Sequence, residues 1–121
     1  MGLFGSSQQK KEDPINDLLK KIFPNGISDI NDGTDELLRI LNNGVQRQTA
    51  QDIFVKSFAR STMDTNFDLN DLKIHHDGYC KGIFSPSQLQ QLLDYLTARK
   101  LALLFGGKKV FKDKNGNYCV N

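Results

Sequence analysis

Ser85-Pro86-Ser87-Gln88-Leu89-Gln90-Gln91-Leu92-Leu93-Asp94-Tyr95-Leu96 carries both a helix start and a buried face. A Ser side chain accepts a hydrogen bond from the free amides of a first helical turn, Pro has the torsion of a first helical position, and a Gln three residues on can reach back to the cap. Leu89, Leu92, Leu93 and Leu96 then recur at helical spacing. This helix either runs through Leu104 to Gly106-Gly107 or stops near Lys100 and yields to a strand over 101–105; the longer helix is the expectation.

Beyond it, Val110 and Phe111, then Asn115-Gly116, then Tyr118 and Val120 read as a C-terminal hairpin around a tight Asn-Gly turn. On the N-terminal side, Asp13 and Pro14 open a short amphipathic helix through Ile15, Leu18, Leu19, Ile22 and Phe23, stopped by Pro24 and Asn25-Gly26. Ser28, Asp29, Asn31, Asp32 and Gly33 read as a turn-rich link, after which Thr34 caps a second helix that buries Leu37, Leu38 and Leu41. Gly44 ends it, and a third helix follows from about Gln48, burying Ala50, Ile53, Phe54 and Phe58. Helices joined so closely must pack on one another.

Between Asp64 and Phe84 the pattern is weaker. Leu72 and Ile74 alternate, Asp77-Gly78 is a hairpin dipeptide, and Tyr79, Ile83 and Phe84 suit a returning strand, so a second short hairpin or an ordered loop is expected there. Residues 1–12 have no usable periodicity and read as a flexible arm. The expected architecture is mainly α with a small β component: a four-helix domain over 13–121 ending in a β-hairpin.

Length and composition are those of an ordinary globular domain: 121 residues, 38% hydrophobic, 25% charged, no Trp. The longest apolar run, 101–105, is five residues, against roughly 20 for a membrane-spanning helix. With no leader pattern either, the expectation is a cytoplasmic chain in which Cys80 and Cys119 are partly buried thiols rather than a disulfide. Met1-Gly2-Leu3-Phe4-Gly5-Ser6, with Lys10-Lys11 nearby, fits the short N-myristoylation pattern, but such matches are common by chance and a mobile terminus is expected.

The inventory for catalysis is thin, with adjacent His75 and His76, two Cys and scattered Asp. No nucleophile elbow, phosphate-binding glycine loop or dinucleotide fingerprint occurs, and no cofactor is expected. The spacing of His75, His76, Cys80 and Cys119 does not suit zinc. Asp64, Asn66 and Asp68 start like a calcium loop, but Leu69 and His75 stand where Gly and Glu are required; Asp29, Asn31 and Gly33 fail likewise, so Asx turns are expected at both places.

Charge is uneven. Residues 95–121 hold six Lys and Arg against one Asp, whereas 64–94 hold five Asp against two Lys, on a net charge of +2. A solvated charged face explains this more readily than an anionic partner. Gly44-Val45-Gln46-Arg47-Gln48-Thr49-Ala50 resembles the turn and recognition-helix start of helix-turn-helix DNA-binding proteins. That resemblance implies base- or phosphate-facing roles for Arg47, Gln48, Thr49 and Gln51, with Ile53 buried. The leucine-rich helix leading into Lys108, Lys109, Lys112, Lys114 and Asn115-Gly116 is similar to the helix-and-wing end of winged-helix domains, which implies that those lysines contact phosphates.

Three functional expectations follow in order. The first is a non-catalytic protein-interaction or regulatory module, whose phenylalanines (Phe54, Phe58, Phe67, Phe84, Phe105) exceed what one core needs and leave a patch for another protein. The second is a nucleic-acid-binding regulator using the residues just named, against which the near-neutral charge counts. The third is an unrecognised enzyme, marked by His75, His76 and Cys80 gathered in one pocket.

Overall fold

In a computed structural model, which describes residues 14–42 and 44–121, the chain forms α1 (Pro14–Ile22), α2 (Ile27–Leu41), α3 (Arg47–Thr62), α4 (Leu69–Tyr79), α5 (Pro86–Leu104), β1 (Val110–Lys112) and β2 (Tyr118–Val120). The architecture is mainly helical with a small antiparallel sheet at the C-terminus. The expected arm and the Asp13 cap lie outside the described residues.

The α5 start is built as its residues require. Ser85 Oγ accepts from the Gln88 amide at 3.2 Å, and Gln88 Oε1 accepts from the Ser85 amide at 2.9 Å. Gln88 Nε2 also donates to the Leu41 carbonyl at 2.9 Å, so the cap ties the start of α5 to the end of α2. The helix runs its full expected length. Gly106 and Gly107, at φ 84° and 81°, turn the chain back so that the Gly107 and Lys108 amides reach the Ala102 carbonyl.

The second helix begins at Ile27, not after Thr34. The turn is confined to Pro24-Asn25-Gly26, where Gly26 takes φ 61° and the Asp29 carboxylate accepts from the Asn25 amide at 2.8 Å. Asp29, Asn31 and Gly33 are therefore helical and form no Asx turn. Thr34 is buried in mid-helix, its hydroxyl donating to the Ile30 carbonyl at 2.7 Å. Gly33 is there because of a neighbour: a Cβ on it would lie 2.0 Å from the Phe54 ring of α3. A residue that reads locally as a breaker is the point of closest approach of two helices.

The expected second hairpin is a helix. Asp68 Oδ1 accepts from the Asp71 amide at 2.9 Å, and Asp71 Oδ2 accepts from the Asp68 amide at 3.1 Å, a reciprocal cap that starts α4. Leu72 and His76 are buried, with Leu69 and Cys80 packed partly beneath them, a stripe at helical spacing. Asp64 does form the expected Asx turn, accepting from the Asn66 amide at 2.9 Å.

The core draws on all five helices. Phe23, Phe54 and Phe58 lie with ring centroids 5.7 Å apart in each pair, and Tyr95 stands 6.1 Å from Phe54. The guanidinium of Arg99 lies over Phe54, Phe58 and Tyr95 at 5.4–5.8 Å. The C-terminal hairpin pairs Val110 with Val120, Phe111 with Cys119 and Lys112 with Tyr118. Its loop is wider than a two-residue Asn-Gly turn, because Asp113 Oδ1 accepts from the Asn115 and Asn117 amides, each at 2.9 Å.

Gly33→Ala tests the α2–α3 approach. Ala gains about 1 kcal/mol of helix propensity, but forcing a methyl against the Phe54 ring costs about 1–3 kcal/mol, so urea denaturation should show a net loss. In the same experiment Asp68→Ala should cost about 1 kcal/mol.

Candidate interaction groove

The residues singled out for nucleic acid fall on two elements either side of the acidic face of α2. Arg47, at the head of α3, donates to Asp35 at 2.6 Å, and Gln48 bonds Asp52 at 3.0 Å. Thr49 and Gln51 are half-buried. On the hairpin side, Lys112 lies 3.9 Å from Glu36 and 5.0 Å from the Tyr118 ring centroid, while Lys108, Lys109 and Lys114 are exposed. Lys109 and Lys112 line the same cavity as Asp32, Asp35 and Glu36. Two of the expected phosphate contacts are thus paired with carboxylates, and the hairpin follows α5 rather than α3.

Glu36 is the junction of this face. It is 8% exposed and receives the Tyr118 hydroxyl at 2.5 Å, together with Arg39 and Lys112. Burial and the adjacent carboxylate push the Tyr118 phenol far upward, so it acts as a proton donor only. The bond fastens the hairpin to α2.

Of the residues expected to mark an enzyme, His76 and Cys80 line one cavity with Lys73, Asp77 and Lys81, and His75 does not line it. His76 is buried, with Nε2 3.1 Å from the equally buried Ser57 Oγ, its ring 4.7 Å from Phe84 and its Nδ1 without a partner among the described residues. Burial lowers the His76 imidazole to about 4 and pushes the Cys80 thiol up to about 11. Both groups are uncharged at neutral pH, the reverse of what a thiolate nucleophile needs. Cys80 and Cys119 are free and half-buried, and among the described residues no three His, Cys, Asp or Glu side chains group as metal ligands.

The phenylalanine expectation divides. Phe54 and Phe58 are fully buried, Phe67 and Phe84 are packed partly on the core, and Phe105 is 62% exposed. Phe105 does not stand alone: Leu104, 79% exposed, precedes it, and Leu101 is also exposed on the same helix end. Leu104 and Leu103 form one wall of an apolar groove whose other wall is Leu18 and Ile22 of α1, closed at its base by Thr62 and Thr65. Exposed Ile15 continues the α1 stripe one turn outward, and exposed Met63 follows Thr62. An open apolar surface of this kind on a small domain is a place where another molecule is received.

Among the described residues no helix is long and apolar enough to cross a membrane. Comparison with protein-family models, with curated proteins and with solved structures gives no match to this chain.

The buried imidazole makes stability depend on pH. The folded state binds a proton at His76 only near pH 4, whereas the unfolded chain binds it near 6.5. Its contribution is therefore complete above about pH 6.5 and is lost as pH falls toward 4. The urea midpoint should drop between pH 7 and pH 4.5, and the drop should be smaller in His76→Leu.

Proposed function

We propose that this chain is a non-catalytic protein-interaction module that receives a partner in the groove between α1 and α5. The observation that carries the reading is the open apolar surface of Leu18, Ile22, Leu103 and Leu104, extended by exposed Ile15 and Phe105. Leaving such side chains in water forgoes about 1.5–3 kcal/mol each relative to full burial, and a partner that covers them recovers that energy. The core is already complete without them, so their role lies outside folding. The reading sits in the reducing cytoplasm, in keeping with two free thiols.

Replacing Leu104 with the photoreactive residue benzoylphenylalanine in cells should give one discrete protein adduct, lost when Leu18→Glu is added; the same probe at Asp71, on the remote α4 cap, should give none. Equal labelling from both positions, or an adduct indifferent to Leu18→Glu, sinks the reading.

The runner-up is a nucleic-acid-binding regulator, favoured by the exposed Lys108, Lys109 and Lys114. Against it stand the carboxylates that hold Arg47 and Lys112. Titration with labelled duplex DNA and single-stranded RNA at low and near-physiological salt should show no specific binding. Tight binding that weakens steeply with salt and with Lys108→Ala, Lys109→Ala would reverse the ranking. An unrecognised enzyme comes third, since His76 and Cys80 meet in a cavity only as uncharged groups.

A further inference from the structure

The shape and charge of the groove narrow what it receives. Both long walls are helices, so their main-chain donors and acceptors are satisfied internally, and neither β1 nor β2 borders the groove. An extended peptide would find no strand edge to pair with. The α1 wall instead presents Ile15, Leu18 and Ile22 at spacings of three and four residues, an apolar ridge of about 10 Å at 1.5 Å per residue. Leu103 and Leu104 face it from α5. A valley between two helices with ridges at that spacing fits the apolar stripe of a third helix.

Its rim is basic. Lys21 and Lys100 line the groove and no carboxylate does; Asp17, one turn before Lys21, does not border it. Lys100 Nζ is held by the carbonyls of Ser61 at 2.8 Å and Asp64 at 3.3 Å, which position the ammonium without neutralising it. Exposed Lys20 adds a third charge beside Lys21 on α1. Among the described residues none of these three lysines has a carboxylate ion-pair partner, unlike Arg47 and Lys112, so the groove keeps its positive field.

Resting on the docking reading above, we propose that the occupant is an amphipathic helix of another protein whose apolar stripe is flanked by Asp or Glu. The stripe fills the valley between Leu18, Ile22 and Leu104, and the flanking carboxylates meet Lys20, Lys21 and Lys100. Charge selects the partner and steers its approach, while the apolar contacts hold it.

The test uses the full chain and three labelled helical peptides of about 16 residues with one leucine stripe at i, i+3, i+7 and flanks of Glu, Gln or Lys, read by fluorescence anisotropy. The Glu peptide should bind at least tenfold tighter than the Lys peptide at low salt, with the gap closing at high salt. Lys20→Glu, Lys21→Glu, two exposed positions whose folding is checked by circular dichroism, should invert the order. Equal affinity for all three peptides, or preference for the Lys peptide, overturns the acidic helix even while the adduct at position 104 persists. Loss of that adduct as well removes the docking reading itself. A dimer in sedimentation equilibrium that Leu104→Glu dissolves, or sedimentation with phosphatidylglycerol vesicles that Leu104→Glu abolishes, assigns the surface to a second copy or to a membrane and likewise overturns the proposal.

Discussion

The Phe54 ring lies against the bare Cα of Gly33, and the packing of the molecule depends on that approach. Because α2 carries no side chain at that point, α3 can lie close along it, and Phe54 reaches the centre of the domain. Phe23 and Phe58 pack on Phe54, Tyr95 brings α5 against it, and Arg99 lies over the resulting aromatic cluster with Asp29 3.7 Å from its guanidinium. One missing methyl therefore positions elements far apart in the chain. A larger residue there would push on a close-packed interior that has little free volume to absorb it.

Charge organises the outer layer of the same assembly. Glu36 is nearly buried yet is met by Tyr118, Arg39 and Lys112, which offset the cost of removing a carboxylate from water. This fastens the hairpin across α2 and α5 and draws basic side chains inward that would otherwise project into solvent. At the opposite end of α5 the lysines around the apolar groove have no such partners. Two basic regions of similar composition thus behave differently, one neutralised within the fold and the other available to a ligand.

The groove was only partly legible in the sequence. Leu18 and Ile22 were evident as the apolar face of the first helix, and Leu104 as the end of a long one, but periodicity says which side chains share a face and not whether anything covers that face. Phe105 belonged to the expected surplus of aromatic residues, whereas Phe54 and Phe58 of the same group are core. Arg47 and Lys112 were equally plain as basic residues; that carboxylates of α2 lie against them is set by helix crossing and hairpin docking, which no local pattern encodes.

What the sequence by itself determined was local: the cap and length of α5, the amphipathic run of α1, the apolar positions of α3 and the C-terminal hairpin, all features governed by contacts within a few residues. Tertiary structure decided the rest. Gly33 and the polar residues before it became helical because Phe54 fills the space beside them. The Asp68–Tyr79 stretch became a helix rather than a hairpin because Leu72 and His76 could be buried together, and His76 found Ser57 on another helix. Propensity at such positions amounts to a few tenths of a kcal/mol to about 1 kcal/mol per residue, while burying one large apolar side chain contributes about 1.5–3 kcal/mol. Where the two conflicted, packing prevailed.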